Sequence, residues 1–192
     1  MQAAVVAQID LVQIREKNLT ASVLYQLASS AAGITRGSAT KLLINDRSDI
    51  AAAAGADGVH LTTSSLPTTV VRQTFGGDFL IGVSTHSLEE AKLAHQGGAD
   101  FAVFGPLFET ASKKEFGEPP GLSALSGVCS ELSPFPILAL GGVMMRNVAE
   151  CIRAGAQGVA AIRMLQQPDP LAEVAEEIRR RFQEASSSEF SL

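Results

Sequence analysis

Short apolar runs alternate along the chain with longer segments in which apolar residues recur every three or four positions. The short runs are typical of strands buried on both faces, and the longer segments are typical of amphipathic helices. The alternation therefore predicts repeated βα units on a parallel sheet. Predicted strands cover residues 11–15, 41–44, 58–61, 80–84, 101–104, 137–140 and 158–162. Predicted helices cover residues 20–32, 49–54, 67–75, 87–96, 122–132, 146–154 and 170–182.

A weak internal repeat supports this organisation. Gly-Ala-Asp at 55–57 and 98–100, and Gly-Ala-Gln at 155–157, each lie between a predicted helix and the next strand, where a glycine turns the chain. Their spacing spans two βα units each time, comparable to the roughly 31 residues per unit of a ~250-residue barrel. This favours a TIM-type (β/α)8 barrel. A doubly wound sheet would carry a glycine-rich turn after its first strand, where this chain has Glu16, Lys17 and Asn18.

The number of strands bears on how such a barrel closes. Eight strands close a barrel, whereas the pattern provides seven, with only residues 1–10 ahead of the first. We therefore expect the first βα unit to be truncated or missing at the N-terminus. One explanation is that the start of the chain is internal to a longer unit. Alternatively, the gap in the barrel is closed by the N-terminal segment, or by a neighbouring subunit in a homodimer. Residues 1–184 are predicted to form a single domain, and the serine-rich residues 185–192 a flexible tail.

Composition and charge narrow the function classes. With 192 residues, 46% of them hydrophobic, the chain is able to bury a sizeable core. A formal net charge of -5 argues against nucleic-acid binding. Cys129 and Cys151, in apolar helix-like segments, are predicted to be buried thiols, since two cysteines form neither a disulfide scaffold nor a four-thiolate metal site. No apolar run reaches about 18 residues and no signal peptide is evident, which predicts a soluble cytoplasmic protein.

Polar residues after the first two strands are candidates for phosphate and metal binding, because barrel active sites lie at the carboxyl ends of strands. Strand alternation places Gln13, Arg15 and Lys17 on one face, where they suit a polyphosphate. A salt-bridged strand end is the alternative, disfavoured because Gln13 and Arg15 would then face the apolar interior or a helix. After the second strand, Asn45 and Asp46 suit a Mg²⁺ that also contacts phosphate. The alternative is that Asp46 or Asp49 caps the next helix.

The later loops contain further candidates. The long loop 105–121 carries hydroxyls and cations suited to a mobile lid over an anionic substrate, namely Thr110, Ser112, Lys113 and Lys114. A solvated run of charges is the alternative. Gly141 and Gly142 would let backbone N–H groups approach a phosphate, aided by the dipole of the helix after the seventh strand, unless they form only a tight turn.

The histidines and the short motifs are less informative. His60 is expected to pack in the barrel wall, His95 to lie on the surface, and His86 to form the turn before a helix rather than to donate a proton. Their spacing is not that of metal ligands. Gly-x-Ser-x-Gly, Walker and paired-cysteine motifs do not occur in the sequence, which argues against hydrolases and NTPases.

Taken in order, these motifs resemble those of the thiamine phosphate synthase family and its thiazole tautomerase-like relatives, over about residues 10–165. The matching segments are Gln-Ile-Arg-Glu-Lys at 13–17, Ile-Asn-Asp-Arg at 44–47, Gly-Ala-Asp-Gly-Val-His-Leu at 55–61, Gly-Val-Ser-Thr-His at 82–86, Gly-Pro-Leu-Phe at 105–108 with Thr110 and Lys113-Lys114, and Ala-Leu-Gly-Gly-Val at 139–143. The resemblance implies a synthase that joins hydroxymethylpyrimidine, from its diphosphate, to thiazole phosphate. Mg²⁺ assists the loss of pyrophosphate, and the thiazole nitrogen captures a pyrimidine carbocation.

The resemblance also implies a role for each matching residue. Gln13, Arg15, Lys17, Asn45 and Lys113 would hold the diphosphate, and Asp46 the magnesium. Ser84, together with Lys113, would stabilise the departing pyrophosphate. Thr110 and Ser112 would contact the thiazole phosphate side, and Gly142 its phosphate group.

The chain departs from the family pattern at three places. Ser65 stands where the family has a second acidic magnesium ligand. Arg163 stands where a small hydroxyl residue is expected, so that it either binds phosphate in a bidentate manner or obstructs the site. The first strand is missing. A tautomerase-like enzyme and a catalytically silent phosphate-binding relative therefore remain alternatives. Pro106, standing where the tautomerase relatives have a proton-shuttling histidine, favours the synthase, and a tautomerase would have to use His86.

Overall fold

Seven parallel strands form one sheet in which each strand is hydrogen-bonded to the next along the chain. The computed structural model describes residues 1–109, 119–166 and 169–188. The strands are β1 Leu11–Ile14, β2 Lys41–Asn45, β3 Gly58–Leu61, β4 Leu80–Thr85, β5 Phe101–Phe104, β6 Ile137–Leu140 and β7 Gly158–Ala160. The helices are α1 Gln2–Val6, α2 Ala21–Thr35, α3 Ser48–Ala54, α4 Thr68–Phe75, α5 Leu88–Gln96, α6 Gly121–Leu132, α7 Val148–Arg153 and α8 Leu171–Ser188.

The strand order identifies the fold class. A doubly wound sheet reverses its strand order at a switch point, whereas here the order runs from β1 to β7 without reversal and every pairing is parallel. The fold is therefore a curled, TIM-like α/β sheet, as predicted. Within the described residues β1 pairs only with β2 and β7 only with β6. The truncated first unit remains a prediction.

Both faces of the sheet are apolar, because helices cover one face and the strands enclose the other. A cluster built only from strand residues fills the inside of the curled sheet, with Leu43, Phe101 and Val103 buried at its centre. Gly82 makes room for it, because a Cβ at this position would lie 2.3 Å from the Phe101 ring. Side chains two residues beyond these interior positions point toward the carboxyl edge of the same face.

The three-residue repeat joins pairs of neighbouring strands. The side chains of Asp57, Asp100 and Gln157 accept hydrogen bonds from the backbone N–H groups of Leu42, Ile81 and Ile137, at 2.8, 2.7 and 2.8 Å. The backbone N–H of each repeat residue donates to the carbonyl of that same partner. The same pair of hydrogen bonds thus joins β2 to β3, β4 to β5 and β6 to β7. The repeat therefore has a structural role rather than a role in binding.

A glycine at the start of β3 tests this strand packing. A Cβ on Gly58 would lie 2.0 Å from the backbone oxygen of Leu80, which cannot move without displacing β4. We expect Gly58→Ala to lower the free energy of unfolding by about 2 kcal/mol. The matched control is Gly127→Ala in α6, where the added methyl group meets nothing within 4 Å and should stabilise the helix by up to about 1 kcal/mol. Urea unfolding measures both, and unchanged stability of Gly58→Ala would contradict the register of β3 and β4.

Two elements near the C-terminus end at other residues than predicted. β7 ends at Ala160, since residues 162–165 form a turn in which the Leu165 N–H donates to the Ile162 carbonyl at 3.2 Å. α8 continues to Ser188, past the predicted domain end at residue 184. The short helix α1 was not predicted. No described helix is both long enough and apolar enough to cross a membrane.

Both cysteines are buried free thiols, as predicted. Burial raises the pKa of Cys129 and of Cys151 to about 11. Each thiol therefore stays protonated near neutral pH and packs as a small apolar group.

Candidate active site

Polar side chains from four neighbouring strands share the carboxyl end of the sheet's inner face. Leu11 and Leu43 belong to the interior apolar cluster. Gln13 lies two residues after Leu11, and Asn45 lies two residues after Leu43. His60 pairs in register with Asn45, and Ser84 lies on the same side of β4 as Leu80. Strand alternation thus brings together residues that are far apart along the chain.

A chain of hydrogen bonds joins the ends of β1 and β2. Gln13 Nε2 donates to Asn45 Oδ1 at 2.7 Å, and Asn45 Nδ2 donates to Asp46 Oδ2 at 2.5 Å. Gln13 and Arg15 are exposed, so the argument that they would otherwise be buried at high desolvation cost is wrong. The edge is open to solvent at this point, and hydrogen bonds join three of the predicted site residues there: Gln13, Asn45 and Asp46.

Asp46 is held by uncharged groups. Its Oδ1 accepts a hydrogen bond from the Thr62 hydroxyl at 3.0 Å and a short one from the Ser65 hydroxyl. Its backbone has a positive φ of 59°, and its N–H donates to the His60 carbonyl at 2.9 Å. Aspartate tolerates this left-handed conformation better than most residues. The carboxylate is thereby turned toward the loop after β3.

The alternative helix-capping role of Asp46 is contradicted by the start of α3. The N-cap residue is Arg47, and no side chain of the described residues caps this helix. Asp49, in the first turn, pairs with the Arg47 guanidinium at 2.6 and 2.8 Å. This pairing lowers the pKa of the Asp49 carboxyl. Asp46 is therefore available for another role.

The donor set around Asp46 fits magnesium only in combination with a phosphate ligand. Within residues 1–109, 119–166 and 169–188, no group of three or more histidine, cysteine or acidic side chains forms a ready-made metal site. Mg²⁺, however, commonly binds through one or two carboxylates, with water and substrate phosphates completing its shell. Asp46 supplies one carboxylate, and the Ser65 hydroxyl beside it is a weaker oxygen ligand.

His60 belongs to the candidate site, although the sequence predicted only that it packs in the barrel wall. It is buried, at 5% exposure, as predicted, but its Nε2 lies 2.8 Å from Ser84 Oγ in a hydrogen bond. Burial lowers the pKa of His60 to about 4; the nearby Asp46 charge opposes this shift and the Arg15 charge adds to it. The imidazole is therefore neutral near pH 7. The signals available in the sequence were the position of His60 in strand 58–61 and its place in the family-like segment 55–61.

The two predicted cations follow β1, which ends at Ile14, so strand alternation does not extend to Lys17. Arg15 and Lys17 are both exposed. The Arg15 charge contributes to the lowering of the His60 pKa. Positive charge at this edge suits a ligand rich in anionic oxygens.

A second part of the site is the turn after β6. Gly141 and Gly142 have positive φ values of 91° and 68°, and a Cβ on Gly142 would lie 2.7 Å from the Phe108 Cβ. Asn147, at 7% exposure, stabilises the turn: its Oδ1 accepts from the Met144 N–H at 2.7 Å and its Nδ2 donates to the Gly142 carbonyl at 3.0 Å. The glycines were predicted from the sequence, whereas Asn147 was not.

The remaining predicted residues divide into two groups. Thr110, Ser112, Lys113 and Lys114 lie outside the described residues, so the lid stays a prediction. Arg163 is exposed in the turn after β7. The helix expected to add its dipole there, α8, begins at Leu171, one residue after its predicted start. A turn at residues 162–165 lies between β7 and this helix.

The other two histidines lie where the sequence predicted. His86 is in the bend before α5, where its N–H donates to Glu90 Oε2 at 2.6 Å and its Nδ1 makes a short contact with the Gly105 carbonyl. His95 is exposed and stacks on the Phe135 ring, with centroids 4.5 Å apart.

A TIM-like sheet with amides, a carboxylate, cations and a glycine turn at its carboxyl edge defines an α/β protein equipped to bind phosphorylated small molecules. The chain belongs to the thiamine monophosphate synthase family, whose model matches residues 1–165.

Named relatives cover most of the chain. A thiamine-phosphate synthase of Chloroflexus aurantiacus is 36% identical over 179 residues, spanning 93% of this chain and 82% of the relative. A thiamine-phosphate synthase of Chlorobium phaeovibrioides is 41% identical over 161 residues, spanning 83% of this chain and 77% of the relative. The solved structure of a thiamine phosphate pyrophosphorylase from Pyrococcus furiosus matches with a TM-score of 0.83 at 28% identity, over 96% of this chain and 88% of that chain.

Proposed function

We propose that this protein is a thiamine phosphate synthase, a transferase that moves hydroxymethylpyrimidine from its diphosphate to thiazole phosphate and releases pyrophosphate. The observation that carries the proposal is the hydrogen-bonded chain from Gln13 through Asn45 to Asp46, at the carboxyl ends of β1 and β2. It joins a predicted diphosphate site to a predicted metal ligand in a chain that belongs to the family.

The diphosphate is bound at the open edge of β1 and β2. Arg15 and Lys17 neutralise its charge, and the amides of Gln13 and Asn45 donate hydrogen bonds to its oxygens. Asp46 would hold Mg²⁺, and the ion would supply Lewis-acid stabilisation of the negative charge that develops on the leaving group. Because Gln13, Asn45 and Asp46 are already linked, little reorganisation of these side chains accompanies binding.

Bond cleavage and bond formation require no covalent nucleophile. The bond between the pyrimidine methylene carbon and the diphosphate oxygen breaks, its electron pair leaves with pyrophosphate, and the thiazole nitrogen donates an electron pair to the carbocation. Ser84 donates a hydrogen bond to the departing pyrophosphate, and Lys113 adds a positive charge. Thr110, Ser112 and the backbone of Gly142 bind the thiazole phosphate, with Arg163 at the next strand end.

The placement of α1 supports the TIM-type barrel. α1 packs against α8 through a small apolar cluster that includes Ala7, Leu171 and Ala175, and Arg179 of α8 donates to the Ala7 carbonyl at 3.2 Å. α1 therefore brings the beginning of the described chain against its last helix, which supports a sheet curled toward a TIM-type barrel. A homodimer is one way to cover the edges of β1 and β7, and light scattering of the purified protein tests this.

An end-point assay tests the function directly. Purified protein is incubated with hydroxymethylpyrimidine diphosphate, thiazole phosphate and Mg²⁺, and thiamine phosphate and pyrophosphate are quantified. We expect the two products in equal amounts, and a strong loss of both when EDTA removes the metal.

Failure of the assay would separate the alternatives. If folded protein binds thiazole phosphate yet forms no product, the synthase proposal is overturned in favour of a silent binder. Interconversion of thiazole tautomers without coupling would instead support the tautomerase. Circular dichroism confirms in each case that the protein is folded.

A further inference from the structure

We propose that His60 is a positioning residue whose neutral imidazole donates its Nε2 proton to Ser84 Oγ, so that the Ser84 hydroxyl proton is directed at an anionic oxygen of the bound ligand. The proposal rests on the proposed function only for the anionic character of that ligand. The contact itself exists in the free protein.

The geometry restricts the imidazole to a single role. His60 is buried at the carboxyl end of β3, its ring centroid is 6.2 Å from that of Phe101, and its Nε2 is 2.8 Å from Ser84 Oγ. The backbone of His60 is also engaged, because its carbonyl accepts the Asp46 N–H at 2.9 Å. Burial leaves the ring little freedom to contact a ligand, so it acts on the ligand through Ser84.

Counting protons decides the direction of the hydrogen bond when an anion is bound. A serine hydroxyl has one proton, and a neutral imidazole has one N–H. If Ser84 donated to His60, only its oxygen lone pairs would face the ligand, and they would repel anionic oxygens. If His60 donates instead, Ser84 keeps its proton for the ligand, and two hydrogen bonds form in series and polarise each other.

The neighbouring residues favour a neutral donor over a charged one. The ring is only 5% exposed and lies beside the Phe101 ring, an environment that disfavours a positive charge. A neutral ring carries its single proton on either Nδ1 or Nε2, and the ligand selects Nε2. His60 thus contributes orientation, whereas Arg15 and Lys17 contribute charge.

Nitrogen NMR of protein labelled with ¹⁵N-histidine tests the tautomer. With inorganic pyrophosphate and Mg²⁺ bound, we expect His60 to show the neutral Nε2–H form, and we expect this signal to shift in Ser84→Ala. A dominant Nδ1–H form in the pyrophosphate complex would overturn the proposal.

A double-mutant cycle tests the coupling to Ser84. Calorimetry with inorganic pyrophosphate and Mg²⁺ is expected to show about tenfold weaker binding for His60→Leu, with recovery in His60→Gln, whose amide N–H replaces the imidazole donor. In a Ser84→Ala background, His60→Leu should cause no further loss, because the hydroxyl it orients is gone. His95→Gln, which changes an exposed histidine outside the site, is the matched control and should bind like the wild type.

The outcomes distinguish this proposal from the proposed function. If the effects of His60→Leu and Ser84→Ala on binding are not additive and the synthase assay shows no product, the positioning role is supported and the proposed function is overturned. If the synthase assay is active but His60→Leu weakens pyrophosphate binding equally in the wild-type and Ser84→Ala backgrounds, the positioning role alone is overturned. The positioning role is also overturned if the wild-type protein binds no pyrophosphate. Thermal unfolding of each variant shows whether a loss of binding comes from misfolding, and rescue by His60→Gln is the result that a purely structural role would not produce.

Discussion

Asp46→Asn is expected to reduce kcat/KM for thiamine phosphate formation by at least about 100-fold, the loss typical of removing a group that stabilises developing charge. The substitution preserves shape but removes the negative charge that would hold Mg²⁺. It also places an amide N–H among the Asn45 amide and the hydroxyls of Thr62 and Ser65, all of which now donate to the carboxylate. Steady-state assays at saturating Mg²⁺ measure the effect.

Asp49→Asn is the matched control for Asp46→Asn. Asp49 is a carboxylate three residues away, with 65% of its side chain exposed, and it pairs with Arg47 outside the site. Its variant should retain activity within about twofold, since exposed ion pairs contribute little. Near-normal activity of Asp46→Asn would contradict the metal-binding role, and a comparable loss in Asp49→Asn would show that the effect is not specific to the site.

Lowering the pH from 7 to 4 should destabilise this protein through His60. The pKa of His60 is about 4 in the folded protein and about 6.5 in an unfolded chain, so the unfolded state binds more protons between these values. Stability therefore rises with pH across this window and is lost as the pH falls from about 6.5 toward 4. The contribution of His60 approaches about 3 kcal/mol at the acid end. Urea unfolding at several pH values in metal-free buffer measures the free energy.

His60→Gln isolates this contribution from that of other titrating groups. The variant has no titratable side chain at position 60, so its stability should fall less steeply than that of the wild type between pH 6.5 and 4. His95→Gln makes the same substitution at an exposed histidine outside the site and is the matched control. Parallel pH profiles for wild type and His60→Gln would be incompatible with a buried neutral His60.

Much of the fold follows from local pattern. All seven strands lie where apolar runs predicted them, because strands covered on both faces require such runs and glycine-containing turns separate them. The repeat at 55–57, 98–100 and 155–157 also had structural meaning. Its Asp or Gln caps a neighbouring strand, which spacing alone did not reveal.

The candidate site was predicted in part, and the misses share a cause. Gln13 and Asn45 lie at or near the carboxyl ends of β1 and β2, and Asp46 follows β2 directly, so their chemistry is visible in the sequence. His60 resembled a packed wall residue, because its contact with Ser84 depends on the register of β3 and β4. Asn147 was missed because it acts on the Gly142 carbonyl from beyond the glycine turn.

The sequence by itself determined the class of fold, the family and the residue types at the strand ends, since periodicity, turn chemistry and ordered motifs are properties of neighbouring residues. Only the tertiary structure decided that Asp46 is held by Thr62 and Ser65 rather than capping α3, and that His60 faces Ser84. Such contacts join residues on separate strands, and their distances and protonation depend on register and burial, which no local pattern specifies.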